Sequence, residues 1–153
     1  MDKKNFIQDN IELSELYSIA PVLMAQEIDG NIKTPDDIAM YLYQGGKSLP
    51  LAFGDQKQDD NQKPSKKIWL DIKAEFNVFL CEDSPKYEVL WRKLGGVKAK
   101  VTPYIITTIS VYLISELNIS NSLSIFITQF IAILLFFAVK VGTSIYCKRT
   151  AKL

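Results

Sequence analysis

Hydrophobic residues are spread along this chain in two ways: spaced stripes through the N-terminal two-thirds, and two nearly unbroken runs in the C-terminal third. Residues 10–28 carry Ile11, Leu16, Ile19, Ala20 and Leu23 near one face of a helix, with Asn10 in place to cap the first turn. Pro21 has no amide hydrogen and its ring crowds the preceding turn, so it is expected to kink this helix or split it. Asp29-Gly30-Asn31 should end it. A second helix is expected to start at Thr34, with Pro35 in the first helical position and Asp36 and Asp37 at the positive end of the dipole. It carries Ile38, Ala39, Tyr41 and Leu42 and should stop at Gly45-Gly46. Residues 49–53 read as a short extended piece, and residues 54–67, almost wholly polar with Gly, Asp, Gln, Lys, Asn, Pro and Ser, as a linker or long loop.

Residues 68–80 fit two periods. Every even position is apolar, as in a strand, yet Trp69, Ile72, Phe76, Phe79 and Leu80 also form a helical stripe. The segment is long for a strand, which usually has about five or six residues. With Ser65 as a cap and Lys, Ala and Glu inside it, a helix is favoured. The next helix is bracketed by Ser84-Pro85 and Gly95-Gly96. Tyr87, Leu90, Trp91 and Leu94 share one face, and Glu88 and Arg92 are spaced for a weak ion pair.

The C-terminal third is a different material. From Val101 to Val139 the only charged residue is Glu116. Residues 119–139 are free of charge, and a helix of that length covers about 30 Å, the thickness of a hydrocarbon core. A soluble core helix of this kind needs more protein around it than the remaining polar sequence is expected to supply. The shorter run 101–117 carries several Thr and Ser residues; it is credible as the first leg of a hairpin because residues 117–122 form a turn-like break. Hydroxyls in a membrane helix can bond back to their own backbone.

Charge then sets an orientation. Arg92, Lys93, Lys98 and Lys100 precede the hairpin, Lys148, Arg149 and Lys152 follow it, and the turn has neither Lys nor Arg. The positive-inside rule places both flanks in the cytosol, and these residues also suit contact with lipid phosphates. Tyr104 and Tyr146 are expected at the cytosolic interface, with Lys140 snorkelling out just inside it. Ser124, Thr128 and Ala132 make a small-residue stripe on the second leg, and Thr107, Val111 and Ser115 a comparable face on the first. Such faces let helices approach closely in lipid, within the hairpin or between copies. Gln129, near mid-membrane, needs a partner: Ser110 or Ser115 across the hairpin, or another copy of itself. Gly95-Gly96 is a candidate hinge between the soluble helices and the hairpin.

Composition narrows the chemistry further. The 153 residues are 48% hydrophobic with mean hydropathy +0.05, averages that hide the two materials. A net charge of +1 argues against nucleic acid as the main partner. The absence of histidine removes the commonest general base and metal ligand. Cys81 and Cys147 both fall on the expected cytosolic side, so no disulfide is expected. After Met1-Asp2-Lys3-Lys4-Asn5 no apolar stretch of signal-peptide type follows, and no cleavable signal is expected. Asp36-Asp37, Asp59-Asp60 and Glu82-Asp83 lack a partner base or ligand spacing. Gly45-Gly46-Lys47-Ser48 lacks the first glycine of a phosphate-binding loop.

The expected fold class is mostly α: a small helical cytosolic region followed by a two-helix transmembrane hairpin. Its parts are a helical region 1–53, a linker 54–67, a membrane-proximal helical region 68–96, the hairpin 97–147 and a basic tail 148–153. The expected role is non-enzymatic, without cofactor or metal. In it the hairpin anchors a cytosolic binding or adaptor module in the inner (plasma) membrane, with both termini cytoplasmic. The alternative is an oligomerising, pore-like effector that perturbs the bilayer on a signal. In a third version the hairpin is stored in a soluble complex and released on demand. Membrane lipids and a protein partner or second copy are the expected partners.

Overall fold

A computed structural model describes residues 3–23, 34–43, 65–96 and 101–151, with the side chains of 41–43 and 151 excepted. The expected stops at Asp29-Gly30-Asn31 and Gly45-Gly46, the piece 49–53, most of the linker and Lys98, Lys100 and Lys152 lie outside the described residues. Among those residues every regular element is a helix: α1 (Lys3–Asn10), α2 (Leu13–Ile19), α3 (Pro35–Tyr43), α4 (Lys66–Cys81), α5 (Glu88–Gly95), α6 (Thr102–Glu116), α7 (Ser124–Val141) and α8 (Thr143–Ala151). Short 3-10 turns at Pro85–Tyr87 and Asn121–Leu123 lead into α5 and α7.

The ambiguous segment is helical for a visible reason. Ser65 Oγ accepts from Ile68 N at 3.3 Å, and the buried side chains of α4 are Trp69, Ile72, Phe76, Phe79 and Leu80. Leu70, which a strand would have buried with its even-numbered neighbours, is 47% exposed. α5 is led in by Ser84, whose Oγ accepts from Lys86 N, and it buries Leu90, Trp91 and Leu94 behind Tyr87. Glu88 and Arg92 meet at 4.0 Å on its exposed side, a separation that contributes little.

The first helical segment differs from expectation. The chain is already helical from Lys3, burying Phe6 and Ile7, and breaks after Asn10. Asn10 caps nothing downstream; its Nδ2 donates back to Phe6 O at 2.8 Å. The break is held from far along the chain, where Thr102 Oγ1, at the start of α6, accepts from Glu12 N at 2.9 Å. α2 then ends just before Ala20-Pro21, as the proline requires.

α7 is the axis of the structure. It packs against α1, α2, α3, α4, α6 and α8. Ile127, Phe130 and every residue from Ile131 to Ala138 are buried. A helix apolar on all sides is either a core helix or a membrane span, and this one is covered. The expectation that the chain has too little material to cover it is therefore overturned. Short amphipathic helices do so one face at a time: Tyr17 of α2 lies 5.9 Å from Phe136, and Trp69 of α4 lies 5.1 Å from Phe130.

The turn between α6 and α7 falls where expected. Asn118 has φ +54, a left-handed position that asparagine tolerates, and Ile119 N donates to Ile114 O at 3.0 Å. Ser120 Oγ then accepts from Ser122 N. At the other end Gly142 has φ +100, a conformation that a side chain disfavours, and the chain restarts as α8. The second apolar run, 119–139, thus lies within the turn and α7, and α8 begins beyond it.

Candidate functional site

The α6–α7 hairpin is the part of the molecule whose composition demands a function. Asn121–Val141 forms one helix long and apolar enough to cross a membrane, with mean hydropathy 2.4, and 61% of its most apolar window is buried by the rest of the protein. α7 alone, at about 1.5 Å per residue, spans about 27 Å.

The residues expected to pack the hairpin are distributed unevenly. The face of α6 turned inward consists of Thr102, Ile105, Ile106, Ile109, Ser110, Leu113 and Ile114. Thr107 and Ser115 are exposed on the opposite side, beside Val111 at 61% exposure. The physical reason is the solvent: in a bundle assembled from water, burying isoleucine and leucine gains more than close approach of small residues, which matters in lipid. On α7, Ala132 is buried, Ser124 is exposed, and Thr128 Oγ1 donates to Ser124 O at 2.8 Å. Ser115 and Ser124 do come together, in a shallow open pocket of about 470 Å³ at the hairpin tip with Ile114, Asn118 and Asn121.

Gln129 does not meet Ser110 or Ser115. Its Nε2 reaches only Ile125 O, at 3.4 Å, within its own helix. Ser110 Oγ, on a residue 2% exposed, has no hydrogen-bond partner among the described residues. A buried hydroxyl left unpaired costs about 1–3 kcal/mol. Ser110→Ala should accordingly raise the stability of the bundle by about 1 kcal/mol, seen as a higher urea midpoint at unchanged slope.

The basic residues occupy the surface. Arg92 and Lys93 are exposed at the end of α5, and Lys148 and Arg149 are exposed on α8. Lys140 lies 5.0 Å above the Phe136 ring. Tyr104 is exposed, but Tyr146 is not an interfacial residue: it is buried, and its hydroxyl donates to Asn77 Oδ1 of α4 at 2.6 Å. Gly95 and Gly96 end α5, and Gly96, with φ −85, sits in ordinary helical geometry that makes no use of glycine's freedom.

Two polar clasps hold the cover in place. At the first, Trp69 Nε1 donates to Asp36 Oδ1 at 2.7 Å and Lys73 Nζ reaches the same carboxylate at 3.0 Å, tying α3 to α4 directly over Phe130. At the second, Glu75 accepts from Lys86 Nζ at 2.7 Å and from the Tyr87 hydroxyl. Lys86 also lies 3.4 Å from Glu116, and Tyr112 of α6 donates to Lys86 O at 2.7 Å. Glu116, the single charge within the two apolar runs, thereby shares Lys86 with Glu75.

Burial pushes the Asp36 carboxyl up, but the hydrogen bonds from Trp69 and Lys73, with the nearby positive charges, outweigh it and leave the group below its ordinary value. Glu75 is likewise raised by burial and then held lower by Lys86 and Tyr87. Carboxylates depressed in the folded state stabilise it above their unfolded values and lose that contribution as pH falls through the folded ones. Stability should therefore hold from neutral pH down to about 5 and decline below about 4, the ordinary carboxyl range. Urea denaturation across pH checks this. Asp36→Asn should lower the neutral midpoint and flatten part of the acid limb.

Cys81, at the end of α4, and Cys147, in α8, are joined in a disulfide, with S–S 2.04 Å and Cα atoms 5.3 Å apart. The expectation of two separate thiols is overturned. It rested on compartment alone, whereas packing α4 against α8 brings the two residues together. No family model, curated protein or solved structure matches the chain.

Proposed function

We propose that this chain is a membrane-inserting protein that stores an apolar hairpin inside a bundle of amphipathic helices. One observation carries it: α7 has no charge before Lys140, is long enough to cross a bilayer, and lies beneath helices that are themselves polar outside. Each covering helix has a face that water accepts, so the cover can part without exposing an apolar surface of its own on both sides. α6 and α7 are joined by a short turn, so an inserted hairpin returns both flanks to one side. The basic residues Arg92, Lys93, Lys148 and Arg149 suit the cytosolic face of the inner membrane. In that state α1–α5 become a membrane-tethered module free to bind a protein partner.

A second form, in which several inserted hairpins assemble into a bilayer-perturbing oligomer, is favoured by Ser110 and Gln129. Neither has a cross-helix partner among the described residues, and both would gain one between copies in lipid. The deciding experiment is fractionation of the expressed full-length protein, followed by an alkaline wash of the membrane pellet. Retention of a substantial fraction in the washed membrane is expected. A protein wholly soluble or wholly removed by the wash, at rest and also after partial acidification with dithiothreitol present, would mean that α7 is only a core helix.

A further inference from the structure

We infer that the Cys81–Cys147 disulfide is a reducible latch that keeps α7 covered, and that a dithiol reductant is the chemical class that opens it. The inference rests on the stored-hairpin reading and names its control. The bond joins the helix that lies across α7 to the helix that continues from α7. α4 covers the middle of the apolar helix through Trp69 and Phe130, and α8 follows α7 after the single residue Gly142. With the disulfide closed, the C-terminal end of α7 cannot leave the helix that covers it. Among the described residues, the ties at this end include neutral hydrogen bonds: Tyr146 to Asn77, Thr143 N to Gln8 Oε1, Thr143 Oγ1 to Lys4 O, and Gln8 Nε2 to Val139 O. Each is exchangeable with water, and the disulfide is not.

The two cysteines are unequally exposed. Cys147 is 6% exposed, and Cys81 is half-buried at the helix end beside exposed Glu82 and Asp83. A thiolate of the reductant attacks Cys81 Sγ, forming a mixed disulfide and expelling Cys147 as a thiolate. The reductant's second thiolate then attacks its own sulfur in the mixed disulfide and releases Cys81. Two electrons pass to the cystine, each cysteine takes up a proton, and the reductant leaves as its disulfide. Closing a long loop lowers the entropy of the open states, and here the two cysteines lie 66 positions apart, so reduction acts on a large loop.

The test uses the full chain, with dithiothreitol as reductant, and reads two quantities. Backbone hydrogen exchange in solution reports the cover over α7, and flotation with vesicles of mixed phosphatidylcholine and anionic phosphatidylglycerol reports insertion. Reduction should speed exchange across residues 127–138 by roughly tenfold or more, and Cys81→Ser/Cys147→Ser should match the reduced protein and ignore dithiothreitol. Vesicle binding should rise in step. Faster exchange without vesicle binding in any state upholds the latch and overturns membrane insertion. Equal vesicle binding by oxidised and reduced protein, with unchanged exchange, overturns the latch and leaves insertion standing. If the double variant fails to fold, reduction of the already folded wild type still gives the exchange result.

Discussion

Phe130→Ala is expected to destabilise the bundle by about 3–5 kcal/mol and at the same time to move protein into membranes. Phe130 is fully buried on α7, and its ring lies 5.1 Å from that of Trp69, which is itself fixed to Asp36. Truncation leaves a cavity beneath the first clasp that neighbouring side chains can only partly fill. The same change costs a membrane span little, about 0.5 kcal/mol on an insertion scale where phenylalanine is only mildly favourable. The covered state thus loses several kcal/mol more than the inserted one, and their ratio should shift by about a hundredfold. Urea denaturation measures the first effect, and the fraction retained after an alkaline wash measures the second. A variant that loses stability but shows no increase in membrane fraction would count against a stored hairpin, because a core helix released from its core aggregates or is degraded instead.

How much of this was legible beforehand depended on how local the cause was. The helix α4 could be recognised from Trp69, Ile72, Phe76, Phe79 and Leu80, because a stripe of that kind is written in spacing alone. α5 was bracketed by Ser84 and Gly95, and the hairpin turn by the polar run ending at Ser122, again through local chemistry. What was not legible depended on distant residues. The break after Asn10 is stabilised by Thr102, and nothing near Asn10 announces it. On α6 the inward face carries Ile106 and Ile109 with Ser110, while Thr107 and Ser115, which suit close packing in lipid, lie on the other side, a choice that local spacing does not decide. The Cys81–Cys147 bond, the Asp36–Trp69–Lys73 clasp and the Glu75–Lys86–Glu116 group each unite residues whose proximity follows only from the way the helices stack. The charge-free α7 was plain from composition, but composition does not distinguish a helix surrounded by lipid from one surrounded by amphipathic helices. That distinction lies in α1, α2 and α8, short segments whose individual apolar stripes are too brief to read as a cover.

A charge in the middle of α7 separates the two environments in the other direction. Leu134 is fully buried, flanked by buried Ile133 and Leu135, so a lysine there has no partner and no route to water. In the bundle Leu134→Lys should cost more than about 4 kcal/mol, enough to unfold a small domain of ordinary stability. In the bilayer it replaces a favourable residue by one that costs about 2.5–3.5 kcal/mol near the helix centre, so the covered and the inserted states both lose to the unfolded chain and little protein should enter the membrane. Phe130→Ala and Leu134→Lys therefore damage the bundle alike and part company in the membrane, the first enriched in the washed pellet and the second absent from it. Val89→Lys, at a position 60% exposed on α5, should change neither quantity and serves as the control for added charge. Equal membrane retention of Leu134→Lys and wild type would mean that α7 never enters the hydrocarbon, and that any membrane association comes from the basic surface of α5 and α8 instead.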